Sequence, residues 1–168
     1  STLAGTEVRL WNYWFHNVSN TTFFQAEKSF DMTSKSALQV GVQWAHQEAL
    51  NHGGNEIVAH SYHVEGEKSN VVSGRVKVKR SRWSYSGNYT WFSDEGRFLF
   101  PQELGREQFY TFMPRARHEG MGNVHAASLK TCWHPKFDRH MTATFMLGRN
   151  WLPDWNDYAL NKYERQSY

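Results

Sequence analysis

The chain has 168 residues, a formal charge of +3 and a mean hydropathy of −0.74, yet 16% of it is aromatic, with eight Trp, eight Tyr and eleven Phe. One domain is expected at this length, and a single cysteine, Cys132, excludes an internal disulfide framework. The mild positive charge favours anionic partners but falls short of a dedicated nucleic-acid binder.

Each large ring can bury roughly 150–250 Å², so one small core cannot hide them all, and some must line a groove or a contact surface. No stretch approaches the ~18–20 apolar residues of a membrane-spanning helix, so no transmembrane segment is expected. The start at Ser1, without a basic and then apolar leader, is expected of a processed chain, secreted or imported into an organelle.

The N-terminal segment alternates, with Val8, Leu10 and Trp14 on one face and Trp11, Tyr13 and Phe15 on the other. Asn17–Asn20 signals a turn, and Thr22–Phe30 reads as the return strand of a hairpin. A helix is then predicted from about Ser34 to Leu50. Thr33 or Ser34 would cap it, Gly53-Gly54 would end it, and Leu38, Gly41, Val42, Ala45 and Ala49 recur at helical spacing.

From Glu56 the period becomes two. Candidate strands are Glu56–Val64, Val71–Trp83, Asn88–Ser93, Arg97–Phe100, Glu107–Met113, Asn123–Trp133 and Arg139–Leu147, with turns at Glu65-Gly66, Ser86-Gly87-Asn88, Asp94-Glu95-Gly96, Pro114 and His134-Pro135. Pro153 can open a short C-terminal helix carrying Trp155, Tyr158, Ala159 and Tyr163. The expected fold is one α+β domain over residues 1–168: a predominantly antiparallel curved sheet, barrel-like or two-layered, with one main helix packed on it.

Nucleophile elbows, phosphate-binding glycine loops and zinc-spaced cysteine pairs are absent, so no cofactor or metal is expected. His60 and His63 would point to opposite faces of a strand and make a poor chelate. Asp138 and His140 would share a strand face, with His134 entering from the preceding turn. A carboxylate beside an imidazole can support acid–base chemistry, although a solvated polar turn explains the same residues. Cys132 reads as a buried structural thiol rather than a nucleophile.

The most polarised segment is Arg75–Trp83, where Arg75, Lys77 and Lys79 share one face and Val76 and Val78 the other. Trp83, Tyr85, Tyr89 and Trp91 follow directly. Cations beside rings suit a glycan, an anionic or amphipathic small ligand or, less favoured, a single-stranded nucleic acid; a solvated edge strand is the bland alternative. Three glycosylation acceptors, Asn17, Asn20 and Asn88, fall at predicted turns. The leading expectation is a binding protein that uses an aromatic-lined groove or surface. The alternatives are a small enzyme with an apolar pocket using His140 and Asp138, and a coat or accessory subunit of a larger, oligomeric assembly.

Overall fold

Period-two alternation governs far more of the chain than its apolar spacing suggests. The computed structural model describes residues 2–3, 5–57, 60–99, 109–113, 120–137, 140–154, 156–157 and 160. Their strands are β1 (Thr2–Leu3), β2 (Thr6–Phe15), β3 (Ser19–Thr33), β4 (Ser36–Ala49), β5 (Lys68–Arg80), β6 (Trp83–Phe92), β7 (Val124–Trp133) and β8 (Ala143–Trp151). They form one sheet in chain order, every neighbouring pair antiparallel. Seven strands are long, and β1 contributes two residues.

The α+β expectation is therefore corrected: the fold is all-β, and the described residues contain no α-helix. The segment expected to be helical is β4. Its apolar residues happen to recur at spacings of three and four, but its true pattern alternates. Val40, Val42 and Trp44 face one side, and Gly41, Gln43, Ala45 and Gln47 the other. Two long partners, β3 and β5, pair with this strand along its whole length, so ladder hydrogen bonds override a weak helical pattern. Gly53 and Gly54 do adopt left-handed conformations (φ 64° and 102°), but in the turn that follows a strand.

The other boundaries move for related reasons. Ser86-Gly87-Asn88 lies inside β6, and the β5–β6 turn instead uses Ser81, at φ 53°. The described parts of Glu56–Val64 form turns and bends. Phe98 makes a single bridge to Met121. The expected C-terminal helix falls largely outside the described residues.

One face of the sheet is concave. Residues 109–113 demonstrate this, because so short a segment touches strands far apart in the sheet. Tyr110 Oη donates to Glu27 on β3 at 2.6 Å, Thr111 Oγ1 donates to Thr90 on β6 at 2.7 Å, and Met113 Sδ lies against Gly148 on β8. The lower end of this concave side holds the core, in which Phe23, Phe92, Phe98 and Phe109 meet mostly edge to face at 5.5–6.1 Å between ring centres. Val71, Val124, Met121 and Ala45 pack around them. Such edge-on ring contacts add roughly 0.5–1.5 kcal/mol each beyond area burial. Gln47 anchors the inserted chain by exchanging two hydrogen bonds with the backbone of Leu99, at 2.6 and 2.8 Å.

Candidate functional site

Above the aromatic core the concave side is polar. A cavity of about 470 Å³ is lined by Arg9 and Trp11 from β2, Gln25 and Glu27 from β3, Gln43 from β4 and Arg75 and Lys77 from β5. Ser84, Ser86 and Asn88 from β6, Lys130 and Cys132 from β7 and Met146 from β8 continue the wall. Lining from β2 through to β8 requires that the sheet curl around the cavity. Arg75 donates to Glu27 at 2.7 Å, and its guanidinium stacks over the Tyr110 ring at 4.3 Å. Glu27 thus accepts from both Arg75 and Tyr110, so the inserted segment is latched to the wall by a charge-assisted pair.

The convex side is the reverse. Strand register sets Val42, Gly74, Tyr89, Ala127 and Arg149 in one row across β4 to β8, and Val40, Val76, Gly87, Leu129 and Leu147 in the next. Leu129 and Leu147 are each 62% exposed, although each sits midway along its strand. Aromatic side chains bound this apolar band. Trp44, Trp91 and Trp151 share the lower row with Val72 and His125, while Trp83, Tyr85, Trp133 and Phe145 crowd the upper edge.

Below the tryptophan row the same face becomes polar at once, with His46 Nδ1 2.9 Å from Asn70 Oδ1 and Asn12 donating to Asn20 at 2.7 Å. Two cations interrupt the band, and each reaches for a ring nearer its edge. Lys28 Nζ lies 5.4 Å from the Phe30 ring centre, and the Arg149 guanidinium 5.3 Å from that of Trp151.

This inversion separates residues that the sequence places together. Arg75, Lys77 and Lys79 do share a face, and it is the concave one. Trp83, Tyr85, Tyr89 and Trp91 pair with Arg80, Val78, Gly74 and Val72, so their rings sit on the convex face. Those three cations and those four rings therefore do not form one mixed surface. Tyr89 Oη lies 2.6 Å from His125 Nδ1, and Trp83 stacks on Trp133 at 5.9 Å.

His140 is exposed, and His134, also exposed, places Nδ1 3.0 Å from Thr142 Oγ1. Asp138 lies outside the described residues. His63 is buried and His60 exposed, in a turn region rather than a strand. Among the described residues no group of three or more His, Cys, Asp or Glu is placed to hold a metal. Asn17 is exposed at its turn, but Asn88 is a buried mid-strand residue whose amide donates to Ser128 Oγ at 3.1 Å.

Sequence reasoning missed Glu27, Tyr110, Gln43 and Lys130. The signal was a polar residue at every fourth position of β4, Gln39, Gln43 and Gln47, and at every second position of β6, Ser84, Ser86, Asn88 and Thr90, set against apolar neighbours. A loop residue such as Tyr110 carries no periodic signal. Comparison with protein-family models and with curated proteins finds no match.

Proposed function

We propose that this chain forms membrane-spanning antiparallel β-structure, with its convex face against lipid hydrocarbon and its concave face lining a hydrated interior that takes small polar solutes. The observation carrying this reading is the inverted face polarity: apolar outside, polar inside, over a band bounded by aromatic rows. A transmembrane barrel needs an outward apolar band of about 25 Å between aromatic girdles, and strands of about 9–11 residues tilted near 45°. Trp83 and Trp91 lie eight steps apart on β6. At ~3.4 Å per residue and that tilt, they span ~20 Å along the membrane normal. Lys28 and Arg149 suit the band because long side chains carry their charge toward the interface.

That no helix among the described residues is long and apolar enough to cross a membrane does not bear on this reading, because strands cross a bilayer with alternating rather than continuous apolar residues. Residues 93–123 connect β6 to β7, and within this segment Phe98 and residues 109–113 pack against the concave face and narrow the interior.

The experiment is refolding into detergent followed by flotation with liposomes. Co-flotation resistant to carbonate and high salt is the expected result. Protein left at the bottom as soluble oligomers would instead favour the convex face as a contact between copies and would refute the lipid reading.

A further inference from the structure

Three cross-strand rows meet at the upper end of the cavity, across β5, β6 and β7. Lys79, Ser84 and Cys132 form the first, Lys77, Ser86 and Lys130 the second, and Arg75, Asn88 and Ser128 the third. All nine side chains face the interior. Four carry positive charge and none carries negative charge. Lys77 and Lys130 flank Ser86 directly, two strand spacings or ~10 Å apart between Cα atoms.

Among the described lining residues the one carboxylate is Glu27, and Arg75 and Tyr110 already engage it. Arg9 is held by Glu7 at 2.6 Å. Among the described residues Lys77 and Lys130 have no ion-pair partner. Their charges are half-buried, face each other across a serine and are enclosed by the aromatic core below.

We propose that this grid is a binding site for small oxyanions, the shared chemistry of carboxylates, phosphate and sulfate. Lys77 and Lys130 grip the anion from two sides. The Ser86 hydroxyl accepts from Asn88 at 3.5 Å, which leaves its own hydrogen to donate. Ser84, buried beside it, offers a further hydroxyl. A concave surface carrying a cluster of charges of one sign concentrates its counter-ions. A neutral solute or a cation gains nothing from this arrangement, which sets the class of solute. The inference deepens the hydrated interior proposed above and rests on it for the route by which solute arrives.

Cys132, the chain's one cysteine, lines the same cavity and serves as a reporter. The test compares its rate of modification by an anionic methanethiosulfonate (sulfonatoethyl) and a cationic one (trimethylammonium-ethyl), each normalised to a small free thiol. The measurement uses the protein folded in neutral detergent at low salt. The normalised ratio should favour the anionic reagent by ~10-fold or more, and that preference should shrink as salt rises. It should survive in K77R/K130R and fall toward one in K77Q/K130Q.

Millimolar acetate or inorganic phosphate should slow the anionic reagent. Protection by acetate alone assigns a carboxylate and by phosphate alone a phosphate-type ion. A ratio near one in the native protein, or one unchanged in K77Q/K130Q with native circular dichroism, overturns the proposal. This readout needs no bilayer. Failure to float with liposomes therefore refutes the membrane reading separately, and loss of the anionic preference refutes this one.

Discussion

Gly41 on β4 is the floor on which Tyr110 rests. A Cβ at position 41 would overlap the phenol oxygen and crowd Cζ to 2.9 Å. The absence of a side chain there admits the ring, which in turn reaches Glu27 and lies under the Arg75 guanidinium. One missing methyl group therefore decides whether the inserted segment can latch to the wall.

Gly41→Ala should lift Tyr110 off β4 and weaken its bond to Glu27. Overpacking of this kind costs roughly 1–3 kcal/mol, and loss of the charge-assisted hydrogen bond adds to it. The urea midpoint in detergent should fall, and limited proteolysis within 93–123 should accelerate. Tyr110→Phe should loosen the loop without crowding. If Gly41→Ala leaves both midpoint and proteolysis at native values, the latch does not hold the segment.

Glu67 ties the lower turns together. Burial would raise its pKa, but hydrogen bonds from His63 and Arg97 outweigh that and bring it to about 2, against an ordinary 4.5. The carboxylate takes the Arg97 backbone N–H at 2.9 Å and its Nε at 3.0 Å, and lies 3.3 Å from His63 Nδ1. A depressed carboxyl pKa stabilises the fold in full above about 4.5, and this contribution is lost as pH falls toward 2. Glu67→Gln should therefore cost about 2–3 kcal/mol at neutral pH. The difference from the native protein should shrink between pH 4.5 and 2. A difference independent of pH across that window would contradict the ion-pair account.

Within the described residues β8 pairs with β7 and has no second neighbour. An unpaired strand edge leaves backbone groups unsatisfied, which hydrocarbon does not tolerate. In lipid, the outward-directed amides of β8 should therefore be protected from hydrogen exchange by a strand paired across that edge. In detergent alone the protection should weaken. Free exchange of those amides in a liposome-bound sample would show an open edge, incompatible with a spanning sheet.

Much of the sheet was legible in the sequence, because alternation survives wherever each face has its own chemistry. Trp11, Tyr13 and Phe15 separate cleanly from Leu10 and Trp14, as do Arg75, Lys77 and Lys79 from Val76 and Val78. Which face is the interior was not legible. The ordinary premise sets valines inward and lysines outward, and this sheet does the reverse. The same premise turned β4 into a helix, since Leu38, Val42, Ala45 and Ala49 look like one buried stripe once Gln43 and Gln47 are assigned to solvent. Gly87 reads as a turn because glycine weakens strands, whereas here it opens the convex surface beside Leu129, whose Cδ2 a Cβ would meet at 3.9 Å. The Glu27–Tyr110 contact joins residues 83 positions apart and leaves no local trace.

Leu129 and Lys130 test the central claim most directly, since adjacent residues on β7 should meet lipid and water respectively. Nitroxide labels at Leu129→Cys and Lys130→Cys, each in a Cys132→Ser background and reconstituted in liposomes, report collision with apolar oxygen and with a polar nickel chelate. The account predicts high oxygen and low nickel accessibility at 129, and the opposite order at 130. Equal accessibilities, or a nickel preference at 129, would contradict it.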